Sequence, residues 1–385
     1  MPKTFNRIAT GMALTAAALV TATHATASAA PGAVIATEAK PAGWHGMSRG
    51  SVIEYTTTDS AGVERPVSGA LFLPEGDAPA TGWPVIAYDH GTLGSGTGCG
   101  GQADPDDAPL PVNRAAEDEL IKRFVDQGYA VVAPDYLGLG RFDTGPHPYL
   151  EVRSEATATI DLVRAARAAN PDLSRTWTAL GASQGGHAAL STASVQQSYA
   201  PELDFRGTAA VDPASDVEKA LPLLGPGIPA IEGTGAITGF IVSILAGLRE
   251  THPEAEVDSY LTPLGREVLD AAGSQCIDDQ VKALNGIGFG DLLARPLSDG
   301  PLRGALNEYM TLPTSGYDKP ILLLVNATDA VVPSPLHAAL IAQFAAGNVD
   351  FDTVVGFGQH TTLDDNMWSA LDAFIERVNV AEPQR

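Results

Sequence analysis

The chain has 385 residues, with 23 Lys and Arg against 46 Asp and Glu and a net charge of −23. A surface that acidic repels phosphate backbones and anionic lipid head groups, and no basic cluster offsets it, which argues against nucleic acid as a partner. There is no H-E-x-x-H helix and no Cys/His cluster, so the residues ask for no metal and no organic cofactor.

The N-terminal stretch carries Lys3 and Arg7, then an apolar run from Gly11 to Val20, then Ala27-Ser28-Ala29. That is the build of a secretory signal peptide over residues 1–29, cut before Ala30. The alternative is an N-terminal membrane anchor, but the apolar run is roughly half the ~20 residues that span a bilayer. Export implies an oxidising environment. The two cysteines, Cys99 and Cys276, then favour a single disulfide over two separate buried thiols.

After a short Pro/Gly-rich lead, "SVIEYTTTD" and "RPVSGALFLP" read as a β-hairpin or meander. The apolar runs "WPVIAYDHG", "GYAVVAPDYLG" and "TWTALGAS" read as buried parallel strands. Between the last two, Ile160, Val163 and Ala166 recur at helical spacing, and "QGGHAALSTASVQQ" is helical again before the strand "RGTAAVDP". From about Ala214 to Ala305 the chain is helical, Gly/Pro-punctuated and poor in strands. Alternation resumes with "KPILLLVNATD", a helix from about Pro335, "DFDTVVGFG" and a last helix near "NMWSALDAFIERV". The pattern predicts one doubly wound α/β core in two parts, 30–213 and 306–385, interrupted by a helical cap at 214–305. Two separate domains are the alternative, but the last strands need the earlier sheet to bury both faces. Within the cap, Ile237, Phe240, Ile241, Ile244 and Leu248 form one stripe on an uncharged helix. It is either ordinary core or a wall of an apolar pocket.

Two stretches fit G-x-S-x-G: "GMSRG" at 46–50 and "GASQG" at 181–185. A nucleophile elbow needs a strand before the serine and a helix after it, so that the hydroxyl stands clear of the backbone beside helical N–H groups. "GMSRG" follows no strand and precedes one, so it reads as a surface loop. "GASQG" lies between the strand "TWTAL" and the helix "QGGHAALSTASV", which makes Ser183 the nucleophile candidate. A serine needs a base, and the base an orienting carboxylate. Asp329 follows the strand "ILLLV" and His360 follows "DTVVGFG", in the chain order Ser, Asp, His. His45, His147, His252, His337 and Asp352 fit these positions less well. His187, one turn past Ser183, faces away and reads as packing or a supporting contact. Two N–H donors must meet the oxyanion. The backbone of Gln184 supplies one, and Thr92, in the strand exit "VIAYDHGTLG", the other, with Gly91 its nearest rival.

The blocks "HGTLG", "PDYLGLG", "GASQGGHAAL", "NATDAVVP" and "GFGQHTT", in that order, resemble the secretory lipase family of α/β-hydrolases. The resemblance runs from about Trp83 to the end of the chain. It implies a helical cap, a triad of Ser183, Asp329 and His360, and hydrolysis of fatty-acyl esters. Family members often place a cysteine shortly after the oxyanion loop, as Cys99 does, which supports pairing with Cys276. The sequence departs from the family there, reading "GTGCGGQADPDDAP" where many members carry Cys-Ala-Pro-Ser. The expectation is therefore an extracellular serine ester hydrolase of triacylglycerol lipase type, acting on small or lipid esters, with at most transient contact with lipid interfaces. A serine peptidase or amidase on the same fold, and a non-catalytic binding protein that kept the fold, are the alternatives.

Overall fold

The computed structural model describes residue 1 and residues 30–40, 45–107, 109–229 and 235–379; apart from Met1, the expected signal peptide lies outside them. Nine strands form one sheet: β1 (Val34–Lys40), β2 (Gly50–Thr58), β3 (Glu64–Phe72), β4 (Trp83–Asp89), β5 (Ala130–Pro134), β6 (Leu173–Ala182), β7 (Asp204–Val211), β8 (Ile321–Asn326) and β9 (Phe351–Gly356). Their spatial order is β1-β2-β3-β5-β4-β6-β7-β8-β9. The β1-β2-β3-β5 pairings are antiparallel and the rest parallel. The expected meander is β2–β3, and the apolar runs are the parallel strands. β1 was not foreseen: six of its seven residues are exposed, so it carries no burial pattern to read.

The helices are α1 (Pro111–Asp126), α2 (Val152–Ala169), α3 (Gln184–Tyr199), α4 (Val217–Ala220), α5 (Gly235–Thr251), α6 (Pro263–Ala272), α7 (Ile277–Ala283), α8 (Phe289–Leu292), α9 (Leu302–Met310), α10 (Ser334–Ala346) and α11 (Asp365–Asn379). Successive side chains of a strand point to opposite faces, so each parallel strand feeds two cores. Val85 and Ala87 of β4 pack with Ile160, Leu162 and Ala189 of α2 and α3. Ile86 and Tyr88 pack with Ile121 and Phe124 of α1 and with Leu371 and Phe374 of α11. The sequence reading omitted α1. It buries only Arg114, Ile121, Phe124 and Val125, and an otherwise charged surface hides the period.

Between β7 and β8 the described residues form α4 to α9 with no strand. Their own core includes Leu245, Leu248, Tyr260, Leu269, Leu292, Leu306 and Tyr309. Of the α5 stripe, Ile244 and Leu248 belong to that core, Phe240 and Ile241 pack at its edge, and Ile237 is exposed. A disulfide joins Cys99, in the loop after β4, to Cys276 at the start of α7, with 5.3 Å between Cα atoms. Gly94 runs so close to this junction that a Cβ would lie 2.6 Å from the Cα of Cys276.

Candidate active site

Parallel strands deliver their C-terminal ends to one edge of the sheet, where open α/β sheets place their sites. Ser183 stands between β6 and α3 with φ 58° and ψ −119°, a region that L-residues rarely enter. Holding it there costs about 1–3 kcal/mol, offset by the surrounding structure. The turn is possible because its neighbours lack side chains. A Cβ on Gly181 would lie 2.1 Å from the carbonyl oxygen of Gly185, and one on Gly185 would lie 1.8 Å from that of Asp89. The Ser183 N–H donates to the Val211 carbonyl at 2.9 Å, tying the elbow to β7.

The Ser183 hydroxyl lies 2.8 Å from His360 Nε2, and His360 Nδ1 lies 2.6 Å from Asp329 Oδ2. With a carboxylate on Nδ1, that nitrogen carries the proton and Nε2 is free to accept one. Asp329 Oδ1 accepts the N–H groups of Val331 and Val332, and Oδ2 also accepts from His337 Nε2 at 3.1 Å. Burial pushes the Asp329 carboxyl up. The His337 and His360 hydrogen bonds, the attraction of His360 and the Val331 N–H outweigh it and hold the group well below the usual carboxylate range. His337 is buried and touches the triad carboxylate directly. Asp352 is exposed and pairs with Arg377, away from this cluster.

The loop bearing His360 is anchored by residues that sequence reasoning missed. Asp212, fully buried at the end of β7, accepts the backbone N–H of Asn326 at 2.6 Å and its Nδ2 at 2.7 Å. It also accepts the N–H of Thr361 at 2.7 Å. Asn326 in turn accepts the N–H of Gly358 at 2.9 Å and donates to the Thr362 carbonyl at 3.0 Å. Thr361 is left-handed, with φ 62°. The available signal was position: Asp212 follows the strand run "RGTAAV" as Asp329 comes after "ILLLV". Asp212, Asp329 and His337 also present ligand-type atoms within 4.8 Å of one another. Those atoms are already engaged in the hydrogen bonds above, which makes the donor set a positioning network rather than a vacant metal cage.

Gln184 is the first residue of α3, where helical N–H groups have no partner within the helix. In the loop after β4, the Gly91 N–H donates to Glu117 Oε1 at 3.1 Å. That bond engages the Gly91 N–H, and Thr92 follows it in the loop. The Thr92 hydroxyl meets the Tyr149 hydroxyl at 2.7 Å, and the Tyr149 ring stacks on Phe240 of α5 at 6.5 Å between centroids. "GMSRG" is a loop leading into β2, with Ser48 exposed and beside Glu75.

A family model described as secretory lipase matches residues 109–299. Lipase A of Arthroderma benhamiae is 27% identical over 247 residues, which cover 60% of this chain and 49% of that protein. A secreted triacylglycerol lipase of Malassezia furfur is 24% identical over 275 residues, 62% of this chain and 48% of that one. The matches thus span about half the length of these relatives. Candida antarctica lipase A in its closed state superposes with a TM-score of 0.74 at 20% identity, over 92% of this chain and 84% of that one. The rice cell wall degrading esterase LipA of Xanthomonas oryzae gives 0.68 at 21% identity, over 91% and 97%. At such identities structural likeness speaks for the fold alone, and the fold is that of the α/β-hydrolases. The chain is thus similar to the secretory lipases, through a family model over residues 109–299 and two lipase relatives that each match about three fifths of it.

Proposed function

We propose that the protein is an exported carboxylic-ester hydrolase of lipase type, acting through Ser183, His360 and Asp329. The observation that carries this reading is the continuous hydrogen-bonded chain from the Ser183 hydroxyl through the His360 ring to the Asp329 carboxylate, at 2.8 and 2.6 Å. His360 Nε2 takes the hydroxyl proton as Ser183 Oγ attacks the ester carbonyl. Asp329 keeps the ring in the Nδ1–H tautomer and stabilises the imidazolium that forms. The N–H groups of Gln184 and Thr92 hold the oxyanion, helped by the positive end of α3. The tetrahedral intermediate collapses, the alcohol leaves with the proton from His360, and an acyl-Ser183 ester remains. Water, deprotonated by His360, then attacks that ester and releases the acid.

The names of the relatives, one of them a secreted triacylglycerol lipase, support a lipid ester as substrate and the extracellular space as location. Residues 235–248 of α5 carry no charge and its Phe240 packs on Tyr149 beside the oxyanion loop, which favours an acyl chain over a charged peptide. The helical segment 214–305 acts as a cap over this edge of the sheet. Among the described residues no helix is long and apolar enough to cross a membrane.

The test is turnover of nitrophenyl esters from acetate to oleate, beside a set of amino-acid naphthylamides. Ester turnover that vanishes in Ser183→Ala, with an unchanged unfolding curve, is expected. Full turnover in that variant refutes the assignment, and faster cleavage of the amides replaces the esterase reading with an amidase one.

A further inference from the structure

Behind the elbow lies a fully buried polar cluster that the proposed chemistry does not use. Glu155 of α2 points two oxygens at it. Oε1 accepts the Leu150 N–H at 3.1 Å and the Gln184 side-chain amide at 2.9 Å. Oε2 lies 2.8 Å from His187 Nδ1. The other nitrogen of that ring, Nε2, lies 3.0 Å from the Met310 carbonyl at the end of α9. The Gln184 amide nitrogen also donates to His147 Nε2 at 2.7 Å, and His147 Nδ1 meets the Leu137 carbonyl at 2.9 Å.

Counting donors and acceptors fixes the protons. Both partners of His187 are acceptors, so a neutral ring would press a nitrogen lone pair against one of them in a fully buried site. A proton on the Glu155 oxygen instead would relieve that clash. But imidazole is the more basic of the two groups, so the shared proton sits on the ring. His147 has one donor and one acceptor partner and is satisfied as the neutral Nδ1–H tautomer. The charged neighbours of His187 agree. Burial disfavours its charged form, yet the hydrogen bond and attraction of Glu155, the Met310 carbonyl and the charge of Glu218 on α4 outweigh it and raise the group. Burial with no carboxylate partner pushes His147 down to about 3.

We infer that His187 and Glu155 form a buried imidazolium–carboxylate pair that positions the oxyanion donor, Glu155 holding Gln184 by its side chain while His187 ties the same helical turn to the end of α9. Gln184 is the residue whose backbone N–H meets the oxyanion in the proposed mechanism, and its side chain has no freedom while both Glu155 and His147 hold its amide. The kinetic part of this inference rests on the ester-hydrolase reading; the protonation part does not.

The experiment has two arms on the full chain. In the first, nitrogen chemical shifts of 15N-histidine-labelled wild-type protein are read at pH 7 to 8. The expected result is protons on both ring nitrogens of His187 and on Nδ1 alone of His147. A singly protonated His187 overturns the inference, whether or not the protein hydrolyses esters. In the second, Glu155→Gln keeps the shape and removes the charge. Its kcat on nitrophenyl butyrate is expected to fall about tenfold with KM within about twofold, as for a misaimed oxyanion donor. Glu155→Asp, which restores the carboxylate, recovers part of that loss. An unchanged kcat in Glu155→Gln overturns the positioning role. If that variant does not fold, the wild-type spectrum still decides, and a wild type inert towards every ester fails the hydrolase reading while leaving the buried pair to the spectrum.

Discussion

Asp212→Asn tests whether the loop carrying His360 is held by a carboxylate that never touches the reacting atoms. Asp212 is fully buried and receives three donors: the Asn326 N–H on Oδ1, and the Asn326 amide and Thr361 N–H on Oδ2. Asparagine has one acceptor oxygen. In its better orientation that oxygen takes the Oδ2 place and keeps two donors, while its NH2 group faces the Asn326 N–H. One buried donor is then stranded and two hydrogen bonds lose their charge assistance, a loss of about 2 kcal/mol. Asp212→Ala strands all three donors, at roughly 1–3 kcal/mol each. Thr361 adjoins His360, so the loss is transmitted to the ring, and a displacement near 1 Å costs on the order of 100-fold in rate. The assay pairs urea unfolding with kcat on nitrophenyl butyrate. The expected result is a lower urea midpoint with an unchanged slope, and kcat reduced about ten- to hundredfold at nearly constant KM. Wild-type kcat and midpoint in Asp212→Asn would refute the reasoning.

Other expectations follow from the same contacts. Asp329 is held below its unfolded value of about 3.9, so the stability it contributes is complete above that pH and is lost as pH falls through the folded value. The difference in melting temperature between wild type and Asp329→Asn should be flat from pH 5 to about 8 and shrink below about pH 4. Asp161 behaves oppositely. Burial pushes it up to about 6 despite hydrogen bonds from Arg164, Thr57 and Tyr199. The unfolded chain therefore releases that proton first, and stability declines as pH rises from about 4 through 6, a slope that Asp161→Asn should remove. Breaking the disulfide frees a loop spanning 177 residues, and Cys276→Ser should cost about 2–5 kcal/mol, read by urea unfolding with and without reductant. Gly185→Ala places a methyl 1.8 Å from the Asp89 carbonyl, so soluble expression or ester turnover should be lost; a folded, fully active variant would show that the elbow is not this tight.

Much of the core was legible because buried parallel strands leave an apolar signature and because an elbow needs both a strand and a helix beside its serine. That pairing separated Ser183 from Ser48, which share the same five-residue pattern. What stayed hidden lacked a period or a motif. β1 is an exposed edge strand, and α1 buries one narrow face under a charged surface. Asp212, Asn326, Glu117 and Glu155 act by hydrogen bonds across 26 to 149 positions of sequence separation, and no local pattern announces such partners. Gly91 and Thr92 were adjacent candidates for one role. Only the bond from Gly91 to Glu117, a residue of the helix that sequence reasoning omitted, bears on the choice between them.

The central claim is that one serine, and not its look-alike, is activated. Treating the protein with a fluorophosphonate and mapping the adduct by peptide mass spectrometry tests it directly, because only a hydroxyl with an accepting base nearby reacts at neutral pH. The account predicts one adduct per chain, on the peptide containing Ser183, and none in His360→Ala. An adduct on Ser48, or no adduct on folded protein, would contradict it.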